Sequence, residues 1–225
     1  MGVTVSSTTT THANEITIAA LGDSLTQGYG LPNGQGFVPQ LEAWLKGQGE
    51  EVKIINAGVS GDTSAGGVRR IDWTLQDDVD GLIVALGAND LLRGLSAAET
   101  RKNIDTILSK AGAKDIPILL VGLDVPGNFG GEYEIAFEAI YPDLAKKHDT
   151  LLFTNFLGPL IETENLVVAF LKYMQPDGLH PNADGVTKIV NGIGPSVRDL
   201  AALVRGSPSG SLRSSDRPLP RPAAP

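Results

Sequence analysis

Apolar residues fall into short dense runs separated by longer stretches with helical spacing. The runs "EITIAAL", "VKIINAG", "GLIVALG", "IPILLVGL" and "TLLFTNF" are rich in β-branched residues and show little in–out alternation, as strands buried on both faces do. Between them, "FVPQLEAWLKGQG" sets Phe37, Leu41, Trp44 and Leu45 on one face and stops at glycine. "SAAETRKNIDTILSKAG" opens with Ser96 and carries Glu99 three places on, a capping-box pattern, before a stripe of Ile104, Ile107 and Leu108. "EYEIAFEAIYPDLAKKH" and "NADGVTKIVNGIGPSVRDLAALV" share that period, and Gly194-Pro195 predicts a kink or break in the second. Strand and helix alternating five times, without internal repeats, predicts an α/β fold: a five-stranded parallel sheet with helices on both faces.

Composition bounds the domain and its partners. A chain of 225 residues suits one domain, placed at 15–204. Residues 1–14 form a polar tail, and 205–225, rich in Pro, Ser and Arg, are too poor in apolar residues to offset their ordering entropy and are expected to be disordered. The net charge of −8 argues against nucleic acid and anionic membrane surfaces as partners. Zero cysteines exclude a disulfide framework, a thiol nucleophile and a Cys-based zinc site. No run approaches the roughly 18 apolar residues of a membrane span, so no stable membrane insertion is expected. The N-terminal stretch has no basic and apolar regions of a signal peptide, although "THA" before Asn14 resembles the end of a cleavage site. The expected compartment is periplasmic or secreted if a segment was removed there, and cytoplasmic otherwise.

Open parallel sheets bind ligands outside the carboxyl ends of their strands. "GDSLTQG", "VSGDTSAGG" and "GANDLLRG" follow the first three runs and should meet at that edge. Neither the dinucleotide fingerprint nor the P-loop spacing is present, and no lysine lies near Ser24. Of three histidines, His12 lies in the polar tail and His148 closes a charged helix, where a cation is favoured. His180 sits in "QPDGLHPNADG" with Asp177 three residues before it, close enough for a carboxylate to orient the imidazole. Alone, that spacing is common in turns. Ser24 adds a hydroxyl near a helix start, while the Ser24 and Gly61 N–H groups and the Asn89 amide offer uncharged donors for an oxyanion. Ser24 is not in a G-x-S-x-G elbow, because Thr26 stands where that motif has glycine.

The blocks "GDSL", "SGDT", "GAND" and "DGLHP", in that order, resemble those of the GDSL-type, or SGNH, hydrolases over about residues 16–203. The resemblance implies a flavodoxin-like three-layer sandwich and a small-molecule ester substrate, with no cofactor or metal. It implies that Ser24 is the nucleophile, His180 the base held by Asp177, and Gly61 and Asn89 the partners of Ser24 in the oxyanion hole. Further stretches are similar to the bacterial arylesterase, thioesterase I and lysophospholipase subgroup, which implies ester hydrolysis with short acyl chains; the alternatives are an acyl-thioesterase or lysophospholipase, a carbohydrate acetylesterase with the same residues, or a flavodoxin-like binding module without catalysis. Where that subgroup often has "PNYG", this chain has "GNFG". Gly127, Asn128 and Phe129 are therefore expected to line the acyl pocket, together with Asp23, Leu25 and Asp62. An imidazole base predicts activity rising with pH through a single ionisation at about 6–7.

Overall fold

Both faces of the first apolar run are covered. All seven residues of β1 (Ile16–Gly22) are buried. Ile18 and Ala20 pack into one side-chain cluster, and Ala19 and Leu21 into another. The structure is a computed structural model that describes residues 15–125, 127, 129–161 and 165–207. The chain continues through α1 (Ser24–Gln27), α2 (Phe37–Gly47), β2 (Val52–Gly58), α3 (Ser64–Thr74), β3 (Gly81–Ala85), α4 (Ala88–Leu92), α5 (Ala97–Gly112) and β4 (Ile118–Val121). It closes with α6 (Gly131–Glu138), α7 (Ile140–His148), β5 (Leu151–Phe153), α8 (Gly158–Ile161), α9 (Leu166–Tyr173) and α10 (Ala183–Gly206).

All strand pairings are parallel, in the order β2-β1-β3-β4-β5. This is the flavodoxin-like order, and its carboxyl edge is where such sheets bind ligands. Helices α2, α8, α9 and α10 contribute side chains to the cluster on one face. Helices α3 to α7 supply the cluster on the other. The three layers expected from the alternation are therefore present. All five apolar runs contain a strand.

Several local expectations change. Helix α10 runs unbroken through Pro195. The N–H lost there would have bonded the carbonyl of Asn191, and both residues lie on the solvent face, where water can take that carbonyl. "EYEIAFEAIYPDLAKKH" is two helices, because Pro142 in the first turn of α7 cannot donate to the carbonyl of Glu138, where α6 ends. Ser96 does cap α5, but through its carbonyl, which accepts from the N–H groups of Glu99 and Thr100, and not through its hydroxyl. Arg205 and Gly206, read as the first tail residues, end α10, and Arg205 pairs with Glu50 at 2.6 Å. The remaining tail residues, 1–14 and 208–225, lie outside the described residues. The helical character of α3, α8 and α9 was not read from the sequence.

Candidate active site

Ser24 opens α1 directly beyond the end of β1, and Asp23 caps that helix by accepting the Leu25 N–H on Oδ1 at 3.0 Å. Gly22 is needed here for close packing. A Cβ at this position would stand 2.0 Å from Thr26 Oγ1 and 3.0 Å from the Ala85 carbonyl oxygen. The turn off the strand does not itself require this glycine. Its φ is not positive, so contact and not backbone freedom is the constraint.

The loop before α10 returns His180 to this point. The Ser24 hydroxyl stands 2.8 Å from His180 Nε2, and His180 Nδ1 stands 2.6 Å from Asp177 Oδ2. The other carboxylate oxygen of Asp177 accepts the backbone N–H groups of Leu179 and His180 at 3.0 and 3.1 Å. With Nδ1–H donating to the carboxylate, Nε2 is left free to accept the serine proton. The hydrogen bond from His180, with those from the backbone, lowers the Asp177 carboxyl to about 2. The stability it contributes is therefore present above the ordinary carboxylate value and is lost as pH falls through about 2.

Two residues that sequence reasoning missed hold this loop. The Gln175 N–H donates to the His180 carbonyl at 2.7 Å, and its side-chain amide donates to the carbonyls of Tyr29 and Pro181. The Tyr29 ring lies 4.7 Å from the imidazole, between centroids. Neither residue stands in a motif; only the Pro/Gly-rich setting of Gln175 hinted at a loop. His148 ends α7 and bonds Asp105 at 2.5 Å, well apart from this cluster in function. His12 lies outside the described residues.

The three candidate oxyanion donors face one cavity. Gly61 adopts φ +78°, a left-handed conformation that disfavours any side chain, while a Cβ there would make only an ordinary contact, 3.6 Å from Arg93 Nη2. Conformation is what demands glycine here. Its carbonyl accepts from Arg93 at 2.6 Å. The next residue, Asp62, is bound by Arg70 Nε at 2.7 Å, and the remaining arms of that guanidinium take the carbonyls of Ala57 and Gly22. Arg70 thus ties the Gly61 loop to the ends of β1 and β2. Asn89 lies inside α4, whose cap is Gly87, and its Nδ2 donates to Asp23 Oδ2 at 3.2 Å.

Burial raises the Asp23 carboxyl to about 6, against the smaller opposing effect of its hydrogen bonds from Leu25 and Asn89. The native state therefore binds more protons than the unfolded chain between pH 3.8 and about 6, and stability falls as pH rises through that window. Above it, the ionised carboxylate costs the fold about 3 kcal/mol. Asp23 therefore titrates within the range where activity is expected to rise. Its ionisation should be visible in the rate profile.

The cavity measures about 590 Å³. Asp23, Leu25, Ser24, Gly61, Asn89 and His180 line its polar end, and Leu86, Leu123, Phe156, Leu160 and Phe170 supply apolar wall. Three expected pocket residues stand elsewhere. Asp62 is held back by Arg70, Gly127 is exposed, and the Phe129 ring stacks on Tyr133 against the core of the opposite face. Asn128 lies outside the described residues. Helix α9, absent from the sequence reading, provides Ala169 and Phe170 instead. Among the described residues, no group of three or more His, Cys, Asp or Glu side chains could hold a metal ion.

Residues 20–188 match the model of the GDSL-like lipase/acylhydrolase family. The chain is 33% identical over 185 residues to esterase TesA of Pseudomonas aeruginosa, covering 82% of this chain and 89% of that protein. It is 36% identical over 172 residues to thioesterase 1/protease 1/lysophospholipase L1 of Escherichia coli K12, covering 75% and 76% respectively. Among solved structures, AlinE4, an SGNH-hydrolase family esterase, superposes with a TM-score of 0.67 at 42% identity, over 83% of this chain and 97% of that one. Match to the family model and likeness to these relatives span nearly all of the sheet and its helices. The chain belongs to the GDSL-like lipase/acylhydrolase family and is a carboxylic ester hydrolase.

Proposed function

We propose that the protein is a serine esterase that cleaves esters of apolar acyl groups through an acyl-enzyme. The observation that carries this is the unbroken hydrogen-bonded chain from Ser24 Oγ through His180 to Asp177, at the polar end of an apolar cavity. His180 Nε2 takes the proton as Ser24 Oγ attacks the carbonyl carbon. The oxyanion is held by the N–H groups of Ser24 and Gly61 and by the Asn89 amide. The imidazolium, stabilised by Asp177, then gives its proton to the departing alcohol. Water, activated by the same imidazole, repeats the sequence on the acyl-enzyme and frees Ser24.

A serine-directed phosphonate should add one adduct mass, mapped to Ser24; an unlabelled protein that still turns over ester would exclude the mechanism. Asn89→Ala should lower kcat by roughly 10²–10³-fold if Asn89 is an oxyanion donor. A variant that loses stability but keeps kcat would make Asn89 a structural residue only.

The cavity bears on the leaving and acyl groups. Its volume of about 590 Å³ and leucine- and phenylalanine-rich wall exceed what an acetyl group fills. Medium or long acyl chains are therefore favoured over the short chains implied by the resemblance, and a sugar acetate would find few donors for its hydroxyls. On p-nitrophenyl esters from acetate to palmitate, kcat/KM should peak beyond butyrate. A maximum at acetate would restore the short-chain assignment. An acyl-CoA and a lysophospholipid on the same panel separate esterase from thioesterase and lysophospholipase action.

A further inference from the structure

Asp23 stands beside the nucleophile with a buried carboxylate that takes no part in the chain from Ser24 to Asp177. A buried carboxylate is costly, so its two contacts merit weighing. Oδ1 accepts the Leu25 N–H and so fixes the turn that carries the Ser24 N–H. Oδ2 accepts one hydrogen of the Asn89 amide, which leaves the other for the cavity. An amide lacking this acceptor can turn over and aim its carbonyl oxygen at the oxyanion. A carboxylate accepts at both oxygens and donates at neither, so it permits only the orientation with nitrogen inward.

Asp90 settles the backbone on the other side. Its carboxylate accepts from the Ser64 N–H and hydroxyl at 2.7 and 2.5 Å and from the Thr100 hydroxyl at 3.2 Å. Helix α4 is thereby pinned to α3 and α5, and the Asn89 side-chain torsion is what remains to be fixed.

We propose that Asp23 is a positioning residue for the oxyanion hole, locking the Asn89 amide with its nitrogen inward and keeping the Ser24 N–H in register with it. This rests on Ser24 and Asn89 being oxyanion donors, as in the function proposed above. Asp23→Asn tests it. The variant keeps an oxygen for the Leu25 N–H but turns an amide nitrogen toward Asn89, which must then answer with its own oxygen.

Loss of kcat by roughly 10²-fold with KM within about threefold of the parent is expected. The double variant Asp23→Asn/Asn89→Ala should be no slower than Asn89→Ala, because both changes remove the same donor. Thermal unfolding at pH 7.5 should move up, since a buried charge is gone, which sets the lost rate apart from misfolding. If Asp23→Asn does not fold, Asp23→Ser replaces it; the shorter side chain can still cap α1 but cannot reach Asn89, and the same kinetic results are expected. Parental kcat in the folded single variant, or losses that multiply in the double, would overturn the proposal. A slow Asn89→Ala beside a fast Asp23→Asn sinks this proposal alone, whereas an unchanged Asn89→Ala sinks the oxyanion assignment and this proposal with it.

Discussion

Ser24→Ala and His180→Ala should each lower kcat for ester hydrolysis by roughly 10⁶-fold, and the double variant should be no slower than either, on the pattern of serine hydrolases whose nucleophile and base act as one unit. The physical reason lies in the 2.8 Å contact between Ser24 Oγ and His180 Nε2. Without the imidazole, the hydroxyl keeps its proton and is a weak nucleophile; without the hydroxyl, the imidazole has nothing to activate. What survives is the binding and oxyanion contribution, worth roughly 10³–10⁴-fold over water. Both changes sit at the cavity surface and remove no core packing, so the unfolding temperature should hold. The measurement is steady-state turnover on the best p-nitrophenyl ester, with thermal unfolding in parallel. Substantial turnover by Ser24→Ala would transfer the nucleophile's role elsewhere.

Asp177→Asn should lower kcat by roughly 10⁴-fold, again by removing the correct tautomer and not the fold. Asp177 serves two sets of donors at once. One oxygen takes the Leu179 and His180 N–H groups, and the other takes His180 Nδ1. An asparagine has one acceptor oxygen. If it satisfies the backbone, its NH₂ faces the imidazole and forces Nδ1 to accept, which leaves the proton on Nε2, where Ser24 needs a base. The parent carboxyl, at about 2, stays ionised throughout the working range, so protonation of Asp177 contributes nothing to the acid limb of the rate profile. A kcat within tenfold of the parent would show that the imidazole orients without its carboxylate.

Much of this molecule was legible because its signals are local and physical. Parallel strands buried on both faces must be apolar throughout, so all five runs announced themselves. Ser24, Gly61, Asn89, Asp177 and His180 stand out as candidates because each follows a strand or precedes a helix that brings it to one edge. The misses share a cause, which is that they depend on partners remote along the chain. Phe129 reads as a pocket residue until Tyr133 and the opposite core claim it. Helix α9 carries exposed and buried apolar side chains together, so its period is blurred, yet Phe170 lines the cavity. Gln175 and Tyr29 matter through backbone carbonyls, which carry no residue code. Asp23 lines the cavity, but its contact with Asn89 spans 66 positions and leaves no spacing to read.

That separation along the chain is wider still between Ser24 and His180, at 156 positions. No fragment ending before His180 holds both members of the pair, and joining them carries the closure cost of a long loop. During refolding, strand and helix signals should therefore recover before hydrolysis does. Turnover becomes a clock for the final event of folding, the arrival of the loop between α9 and α10 on the end of β1.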